Sequence, residues 1–181
     1  MKLSVRIHCG DDLFTEIFRQ RLEGSVALHE NGTFDLLVDK PRGWVMLEHP
    51  NLEFERCVIL SDNRCPTYQL DLLDKQPAAL IHGGDWNALL AVLETAQTGK
   101  AFYPKVTTPL TPAERETLRL VAFGYANADI AEKRGVTERT VKNSLVEVYR
   151  KLNLHSRVEA THYYLGHWHL IRNWQKPPFM N

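Results

Sequence analysis

The stretch that decides the fold of the C-terminal part of this chain reads Thr137-Glu138-Arg139-Thr140-Val141-Lys142-Asn143-Ser144-Leu145-Val146-Glu147-Val148-Tyr149-Arg150-Lys151-Leu152. It predicts one amphipathic helix, because the apolar residues Val141, Leu145, Val148 and Leu152 recur at helical spacing and share one face. Thr137 is a favourable N-cap, and Asn153 tolerates the left-handed conformation that ends a helix. The opposite side is polar and carries Arg139, Asn143, Glu147 and Arg150. Taken alone, this pattern fits any solvated amphipathic helix.

A shorter helix precedes this stretch, and the two helices together indicate a more specific structure. It is predicted over Ala126-Asn127-Ala128-Asp129-Ile130-Ala131-Glu132-Lys133-Arg134. Asn127 is its expected N-cap, and Gly135 its expected stop, since Gly adopts positive φ without steric cost. A helix, a turn at Gly135-Val136 and a second helix have the order of a helix-turn-helix, in which the second helix enters the major groove of DNA.

Two capping boxes predict two further helices. Thr111-Pro112-Ala113-Glu114 carries Pro at the first helical position and opens a helix that ends at Gly124. Ser156-Arg157-Val158-Glu159 opens a fourth helix, expected to run through about Leu170. Four short helices with separate start and stop signals predict a compact three-helix core with one additional helix.

Several of these motifs, in this order and spacing, strongly resemble the LuxR/NarL (GerE-like) DNA-binding domain. The resemblance runs without a gap from Leu110 to Ala160 and rests on Leu110-Thr111-Pro112-Ala113-Glu114-Arg115-Glu116, Asn127-Ala128-Asp129-Ile130-Ala131, Val136-Thr137-Glu138-Arg139-Thr140-Val141-Lys142-Asn143, Tyr149-Arg150-Lys151-Leu152 and Ser156-Arg157-Val158-Glu159-Ala160. One residue departs from the family pattern: Ser144 stands where the family more often has His. The resemblance implies a transcriptional regulator that binds double-stranded DNA.

The distribution of charge agrees with a nucleic-acid-binding C-terminal part. The formal net charge of the whole chain is zero. Residues 1–106 contain 11 Lys and Arg against 15 Asp and Glu, a net charge of −4, whereas residues 107–181 contain 11 against 7, a net charge of +4. The basic surplus therefore lies with the helix-turn-helix, where phosphate binding requires it.

Other classes of protein find little support in the sequence. No apolar run approaches the length of a membrane span, and the N-terminus lacks the pattern of a signal peptide. Cys9, Cys57 and Cys65 have no metal-ligand spacing, and their odd number suits a reducing compartment, so a cytoplasmic protein is expected. No paired carboxylates, nucleophile with a base or metal triad stands out. We therefore predict no catalytic residue, metal or cofactor, and an enzyme is disfavoured.

The N-terminal part alternates short apolar strands with helices. Strands are predicted at 3–9, 33–38, 57–60 and 78–81, and helices after Asp11-Asp12, at 68–73 and after Asp85 up to Gly99. Residues 44–52 fit either a helix or irregular structure. Continuously apolar strands between helices predict an α/β layer with a parallel sheet.

This order resembles a truncated, flavodoxin-like receiver domain of response regulators over about residues 2–103. The resemblance implies an acidic pair that holds Mg²⁺ after the first strand, an acceptor Asp after the third, a hydroxyl after the fourth and a Lys after the fifth. Asp39 and Ser61 occupy the acceptor and hydroxyl positions. Cys9-Gly10 stands in place of the acidic pair unless the alignment slides by two residues to Asp11-Asp12, and His82 or Gly83 stands in place of Lys.

The chain between Gly24 and Asp39 is too short for the usual strand, helix and strand. We therefore expect the second helix to be missing and Glu30-Asn31-Gly32-Thr33 to form a tight hairpin turn. These departures predict a receiver-like domain that has lost aspartyl phosphorylation and acts in dimerisation or reads another signal. The alternatives are a conventional response regulator phosphorylated on Asp39 and a regulator of the small-molecule-sensing LuxR type.

The side chains of the second helix of the helix-turn-helix divide into two predicted groups. Lys142, Asn143 and Val146 are the base-reading positions that the resemblance implies, and Glu147 can accept a hydrogen bond from cytosine N4. The candidates for phosphate contacts are Arg139, Thr140, Arg150, Lys151, Ser156 and Arg157. The alternative for each is a solvated surface residue or a helix cap.

The fourth helix is predicted to form a dimer contact, as the resemblance implies. Aromatic residues and histidines crowd its sequence, and exposed aromatics suit a protein interface: His162, Tyr163, Tyr164, His167, Trp168, His169 and Trp174. A homodimer would place two recognition helices about 34 Å apart on a near-palindromic operator. RNA polymerase is a further candidate partner. The predicted domains are 1–103 (receiver-like), 104–109 (linker), 110–172 (helix-turn-helix) and 173–181 (frayed tail).

Overall fold

The computed structural model describes residues 4–28, 34–47, 49, 52–83, 86–96 and 103–175. Its residues form two compact units, the first of Met1–Arg64 with Asp71–Lys105 and the second of Cys65–Leu70 with Val106–Asn181. The prediction of an α/β layer followed by an all-α helix-turn-helix domain is confirmed.

A five-stranded parallel sheet forms the centre of the first unit. Its strands are β1 (Ser4–Cys9), β2 (Ala27–Leu28), β3 (Phe34–Val38), β4 (Cys57–Ser61) and β5 (Ala79–His82), in the order β2-β1-β3-β4-β5. Every pair of neighbouring strands is parallel. Such strands are nearly continuous in apolar residues because helices cover parallel sheets, which is why the sequence pattern predicts this layer.

Helix α1 (Asp12–Leu22) follows β1, α2 (Pro66–Leu73) follows β4, and α3 (Trp86–Ala96) follows β5. Asp11 caps α1, since its Oδ1 accepts hydrogen bonds from the N–H groups of Leu13 at 3.0 Å and Phe14 at 3.2 Å. Side chains of α1 and α3, among them Leu22, Leu89 and Leu93, pack on one face of the sheet. The predicted cap Asp85 and the predicted stop Gly99 lie outside the described residues.

The connection between β2 and β3 differs from the prediction. Both strands run parallel to β1 and lie on opposite sides of it, so no hairpin joins them, although the proposed turn residues 30–33 are themselves outside the described part. The hairpin is predicted wrongly because a turn signal is local, whereas strand pairing is decided by distant partners. Residues 29–33, which separate β2 from β3, lie outside the described residues, so the absence of the second helix stays a prediction.

Within its described residues, the connection between β3 and β4 forms two short 3₁₀ segments, Trp44–Met46 and Phe54–Arg56.

Side chains of β1 and β3 form a cluster of charged and polar groups that no sequence motif predicts. Asp35, 2% exposed, accepts hydrogen bonds from Arg6 at 2.6 and 2.7 Å and lies 2.7 Å from His8 Nε2. Burial raises the pKa of the Asp35 carboxyl, but these hydrogen bonds outweigh burial and hold the pKa below its usual value.

The second unit contains α4 (Pro112–Ala122), α5 (Asn127–Arg134), α6 (Glu138–Leu152), α7 (Arg157–Tyr164) and a 3₁₀ segment, Trp168–Leu170. The Thr111 capping box is present, with Thr111 Oγ1 accepting from Glu114 N–H and Glu114 Oε2 accepting from Thr111 N–H. Thr137 caps α6, which ends at Asn153 with φ of 52°. Gly135 ends α5 with φ of 61°.

Two boundaries of these helices differ from the prediction. Ala126, not Asn127, is the N-cap of α5, and Asp129 Oδ2 accepts from its N–H. The fourth helix ends at Tyr164 rather than near Leu170, because Gly166 adopts a φ of 71° that a helix cannot contain.

The predicted second capping box is only half formed. Ser156 caps α7 by accepting from Glu159 N–H at 3.1 Å, but the Glu159 carboxylate accepts from His155 N–H instead of Ser156.

Candidate functional site

Helix α6 divides into a buried and an exposed side, as its sequence predicts. Val141, Leu145, Val148 and Leu152 are between 0% and 6% exposed. The predicted base-reading residues Lys142, Asn143 and Val146 all lie on the exposed side. The Val146 side chain is 63% exposed, which is unfavourable in water but suits contact with a thymine methyl group.

The predicted phosphate contacts have different surroundings. Arg139 and Thr140 are exposed in the first turn of α6, where the N–H of Thr140 donates to Thr137 Oγ1 at 3.2 Å. Ser156 already caps α7. Arg157 donates to Asn127 Oδ1 at 3.2 Å and to the carbonyl of Tyr125, so it also holds the corner between α4 and α5.

Lys151 has a structural role that the sequence did not reveal. Its Nζ lies 2.8 and 2.7 Å from the two carboxylate oxygens of Glu114, and the side chains are 22% and 12% exposed. Burial raises the pKa of the Glu114 carboxyl, but hydrogen bonds from Lys151 and Thr111 outweigh burial, and the pKa lies below its ordinary value. A phosphate contact by Lys151 stays a prediction.

Ser144, the departure from the family pattern, faces the helical core. Its hydroxyl lies 3.2 Å from Thr117 Oγ1, which also accepts a hydrogen bond of 2.6 Å from Arg134 Nη1. Thr117 is fully buried in α4. The residue at position 144 therefore helps to join α4 to α6 and does not lie on the exposed side of α6.

Two of the residues predicted to form a dimer contact on the fourth helix do not lie on the surface. Tyr163 and Tyr164 are fully buried, so they serve the core of the unit rather than a surface. Val158 is 63% exposed on the same helix. The rings of His162, His167 and His169 follow one another with centroids 6.2 and 6.3 Å apart, and within the described ranges no group of three potential ligands could hold a metal ion.

In the first unit, Asp39 and Ser61 come together at the carboxyl ends of β3 and β4. The Ser61 hydroxyl donates to Asp39 Oδ2 at 2.7 Å, while Oδ1 accepts from the N–H groups of Gly43 at 3.1 Å and Val45 at 3.3 Å. Asp39 has no exposed surface, and Ser61 is 1% exposed. Both carboxylate oxygens are thus bound to the protein itself and closed to solvent.

An aromatic ring packs against Gly10, one of the two residues at the predicted position of the acidic pair. A Cβ added to Gly10 would lie 2.3, 2.6 and 2.8 Å from three atoms of the Trp44 indole, so the ring rests directly on the Gly10 backbone. Asp11 is committed to capping α1. An indole and a glycine supply none of the oxygen ligands that Mg²⁺ prefers. The residues at this position do not fit the magnesium ion of phosphorylated receivers.

Two cations that follow Asp39 along the chain, Lys40 and Arg42, form salt bridges that no sequence pattern predicts. Lys40 Nζ lies 2.5 Å from Asp62 Oδ2, and Arg42 Nε donates to Asp62 Oδ1 at 2.8 Å. Burial raises the pKa of the Asp62 carboxyl, but hydrogen bonds from Arg42 and Lys40 outweigh it and leave the pKa below its usual value. Asp62 therefore remains ionised and holds both cations by salt bridges.

His82 stands at the end of β5, paired in register with Ser61. Burial lowers its pKa from the ordinary value of 6.5, against a hydrogen bond with the Ser61 backbone that raises it. A lowered pKa favours the neutral imidazole, which lacks the permanent positive charge of a lysine.

Comparison with known proteins assigns residues 108–164 to a family described as bacterial regulatory proteins of the luxR family. The transcriptional activator RamA of Corynebacterium glutamicum is 45% identical over 56 residues, covering 31% of this chain and 20% of RamA. The nitrate/nitrite response regulator NarL of Escherichia coli K12 is 39% identical over 74 residues, covering 40% of this chain and 34% of NarL. The chain spans about a third or less of the length of these curated relatives.

Solved structures resemble the chain over nearly its whole length, at low sequence identity. RcsB of Salmonella enterica serovar Typhimurium, bound to the promoter rprA with a phosphomimetic, matches with a TM-score of 0.56 and 17% identity, covering 91% of this chain and 98% of that chain. Another complex of the two-component response regulator RcsB with DNA has a TM-score of 0.52 and 18% identity, covering 92% and 99%. This likeness shows a receiver-type layer combined with a LuxR-type helical domain. None of the described helices combines the length and apolarity needed to cross a membrane.

Proposed function

We propose that this chain, whose residues 108–164 match the luxR family of bacterial regulatory proteins, is a sequence-specific DNA-binding transcriptional regulator. The observation that carries the proposal is the exposed side of α6. It presents Lys142, Asn143 and Val146 next to one another, while the apolar side is locked into the domain core. A rigid helix that presents a cation, an amide and a methyl-bearing side chain has the chemistry to read base edges in the major groove.

The proposed organisation is a receiver-like domain at 1–103, a linker at 104–109, the DNA-binding domain at 110–172 and a tail at 173–181. The boundary between the two compact units at Lys105 and Val106 supports the linker. As a regulator of this type, the protein would act in the cytoplasm on double-stranded DNA, with RNA polymerase as a candidate partner.

We propose further that a homodimer binds a near-palindromic operator. Two recognition helices about 34 Å apart would reach successive major grooves on one side of the duplex. One similar solved structure is described as two RcsB dimers bound to two parallel DNAs, and the exposed Val158 offers α7 an apolar contact.

The receiver-like domain is proposed not to use aspartyl phosphorylation. Three features support this: both oxygens of Asp39 are hydrogen-bonded inside the protein, Trp44 rests on Gly10 where an acidic pair is expected, and β5 ends at His82 instead of leading to a lysine. A phosphoryl group on Asp39 would break the bonds to Ser61 and Gly43 in a buried position. Of the described cations next to it in the chain, Lys40 and Arg42 are already paired with Asp62.

The DNA-binding proposal is tested by selecting bound sites from random duplex DNA with the purified full-length protein. Enrichment of a short, near-palindromic sequence is the expected result. A folded, dimeric protein that ignores duplex DNA even in dilute salt would refute the proposal. Arg157→Ala should weaken binding to selected and random DNA alike, with the folded state checked by thermal unfolding because Arg157 also holds Tyr125 and Asn127.

The phosphorylation proposal is tested separately by incubation with acetyl phosphate and Mg²⁺, followed by intact-mass spectrometry. We expect no added phosphoryl mass, in the native protein and in Asp39→Asn alike. A mass gain that disappears in Asp39→Asn and changes DNA affinity would establish a conventional response regulator.

A further inference from the structure

The exposed side of α6 contains a cation that is already bound to a carboxylate. Arg150 donates to Glu147 Oε2 through Nε at 3.0 Å and through Nη2 at 2.8 Å. The two side chains are 66% and 46% exposed. Because they are three residues apart on a helix, the pair lies on one surface of α6. One carboxylate oxygen therefore occupies two of the N–H groups with which Arg150 could bind a phosphate.

The other ion pairs of α6 differ from this one. Lys142 Nζ lies 3.9 Å from Glu138 Oε2, which is too far for a hydrogen bond. Lys151 binds Glu114 of α4 and is only 22% exposed, so its pair belongs to the junction of the helices. Within the described residues, Glu147 and Arg150 thus form the one hydrogen-bonded ion pair on the exposed side of α6.

Such a pair has a specific consequence for DNA binding. Contacts between cations and phosphates supply most of the affinity for random sequence, and each contact makes the dependence on salt steeper. An arginine held by a carboxylate adds no net positive charge, and it must lose that partner before it binds a phosphate. Glu147 also repels the phosphate backbone directly.

We propose that Glu147 is a specificity-determining residue that holds Arg150 away from the phosphate backbone on random DNA. The inference rests on the proposed DNA-binding function. It assigns Glu147 a role in rejecting unspecific sequence, in addition to any contact with a base. At a matching site, a hydrogen-bond donor such as the cytosine N4 amino group replaces Arg150 at the carboxylate and leaves the guanidinium free for phosphate.

The test compares Glu147→Gln with the full-length native protein on random duplex DNA and on a site selected by the native protein. The glutamine keeps the size and an acceptor oxygen but loses the charge that holds Arg150. Affinity for random DNA should rise on the order of tenfold in about 50 mM salt, and the salt dependence should steepen by about 0.9 in log–log slope. The ratio of affinities for selected and random DNA should fall.

Two controls separate masking of Arg150 from a simple change of net charge. Glu138→Gln removes the same charge from the same helix without breaking a hydrogen-bonded pair, so its gain in affinity should be clearly smaller. In an Arg150→Gln background, Glu147→Gln should lose its excess over Glu138→Gln.

Equal gains in Glu147→Gln and Glu138→Gln, no gain in Glu147→Gln, or an excess that persists without Arg150 would each overturn the inference. Native protein that binds no duplex at all would instead overturn the proposed function. Thermal unfolding of every variant confirms that folded proteins are compared, and since the pair is exposed, its loss should alter stability little.

Discussion

The contact between Gly10 and Trp44 gives a sharp test of how the receiver-like pocket is closed. Gly10 follows β1, and an added Cβ would lie 2.3 Å from Trp44 Cδ1, 2.6 Å from Nε1 and 2.8 Å from Cγ. Carbon atoms pack at about 3.5–4.0 Å, so Gly10→Ala requires a shift of roughly 1 Å or more. Cγ lies near the root of the side chain, and rotation of the ring alone gives little relief.

The expected cost follows from this overlap. Overpacking of a filled interior costs about 1–3 kcal/mol. The smaller freedom of alanine in the unfolded chain offsets about 0.4–1 kcal/mol of this cost. Gly10→Ala should therefore lower the free energy of unfolding by about 1–2 kcal/mol. For a domain of this size, each kcal/mol lowers Tm by about 4–8 °C.

Urea unfolding followed by circular dichroism measures the effect in the full-length protein. Gly83→Ala is the matched control at the end of β5, because its Cβ would meet Asp62 Cβ at an ordinary 3.5 Å. That control should be neutral or slightly stabilising. In a Trp44→Ala background the penalty of Gly10→Ala should vanish, since the obstructing ring is gone.

Two results would refute this reasoning. If Gly10→Ala and Gly83→Ala had equal stability, Trp44 would not rest on Gly10 in solution. If the penalty of Gly10→Ala persisted in Trp44→Ala, its cause would lie in the backbone rather than in the indole.

Further predictions concern the C-terminal unit. Lys151→Met leaves the Glu114 carboxylate, which is 12% exposed, without its ammonium partner. The free energy of unfolding measured in urea should fall by about 1–3 kcal/mol. The control Arg139→Met, at an exposed position, should change it by less than about 0.5 kcal/mol. The pKa of the Glu114 carboxyl in the folded state lies below the ordinary value of 4.5. The ionised carboxylate therefore contributes to stability above about pH 4.5, and this contribution is lost as the pH falls through the lower folded-state pKa. Unfolding curves of Glu114→Gln should lack this part of the acid dependence. Lys142→Ala should cost about 1–3 kcal/mol on a selected site and little on random DNA in binding titrations, and an unchanged footprint would remove Lys142 from the base-reading set.

The C-terminal helices illustrate what local sequence signals can establish. Thr111, Gly135, Thr137 and Asn153 act through hydrogen bonds and backbone angles within one turn of the helix they bound. Such signals are readable from neighbouring residues, which is why these four boundaries are correct. The predicted end of α7 near Leu170 is wrong because Gly166 adopts a left-handed conformation that stops the helix.

The N-terminal site illustrates the opposite case. The positions of Asp39, Ser61 and His82 after successive strands follow from the alternation of strands and helices. The contact of Trp44 with Gly10 and the binding of Asp62 by Lys40 and Arg42 depend on the connection after β3, for which the sequence contains no periodic signal.

By itself, the sequence determined where the DNA-reading helix begins and ends and which of its sides is apolar, because caps and helical spacing act over a few residues. Only the tertiary structure decided which polar groups remain available: Lys151 is bound by Glu114, Arg150 by Glu147, and both oxygens of Asp39 by Ser61 and the backbone. The physical reason is that hydrogen bonds and salt bridges depend on distances of about 3 Å, and the folded chain sets those distances between side chains.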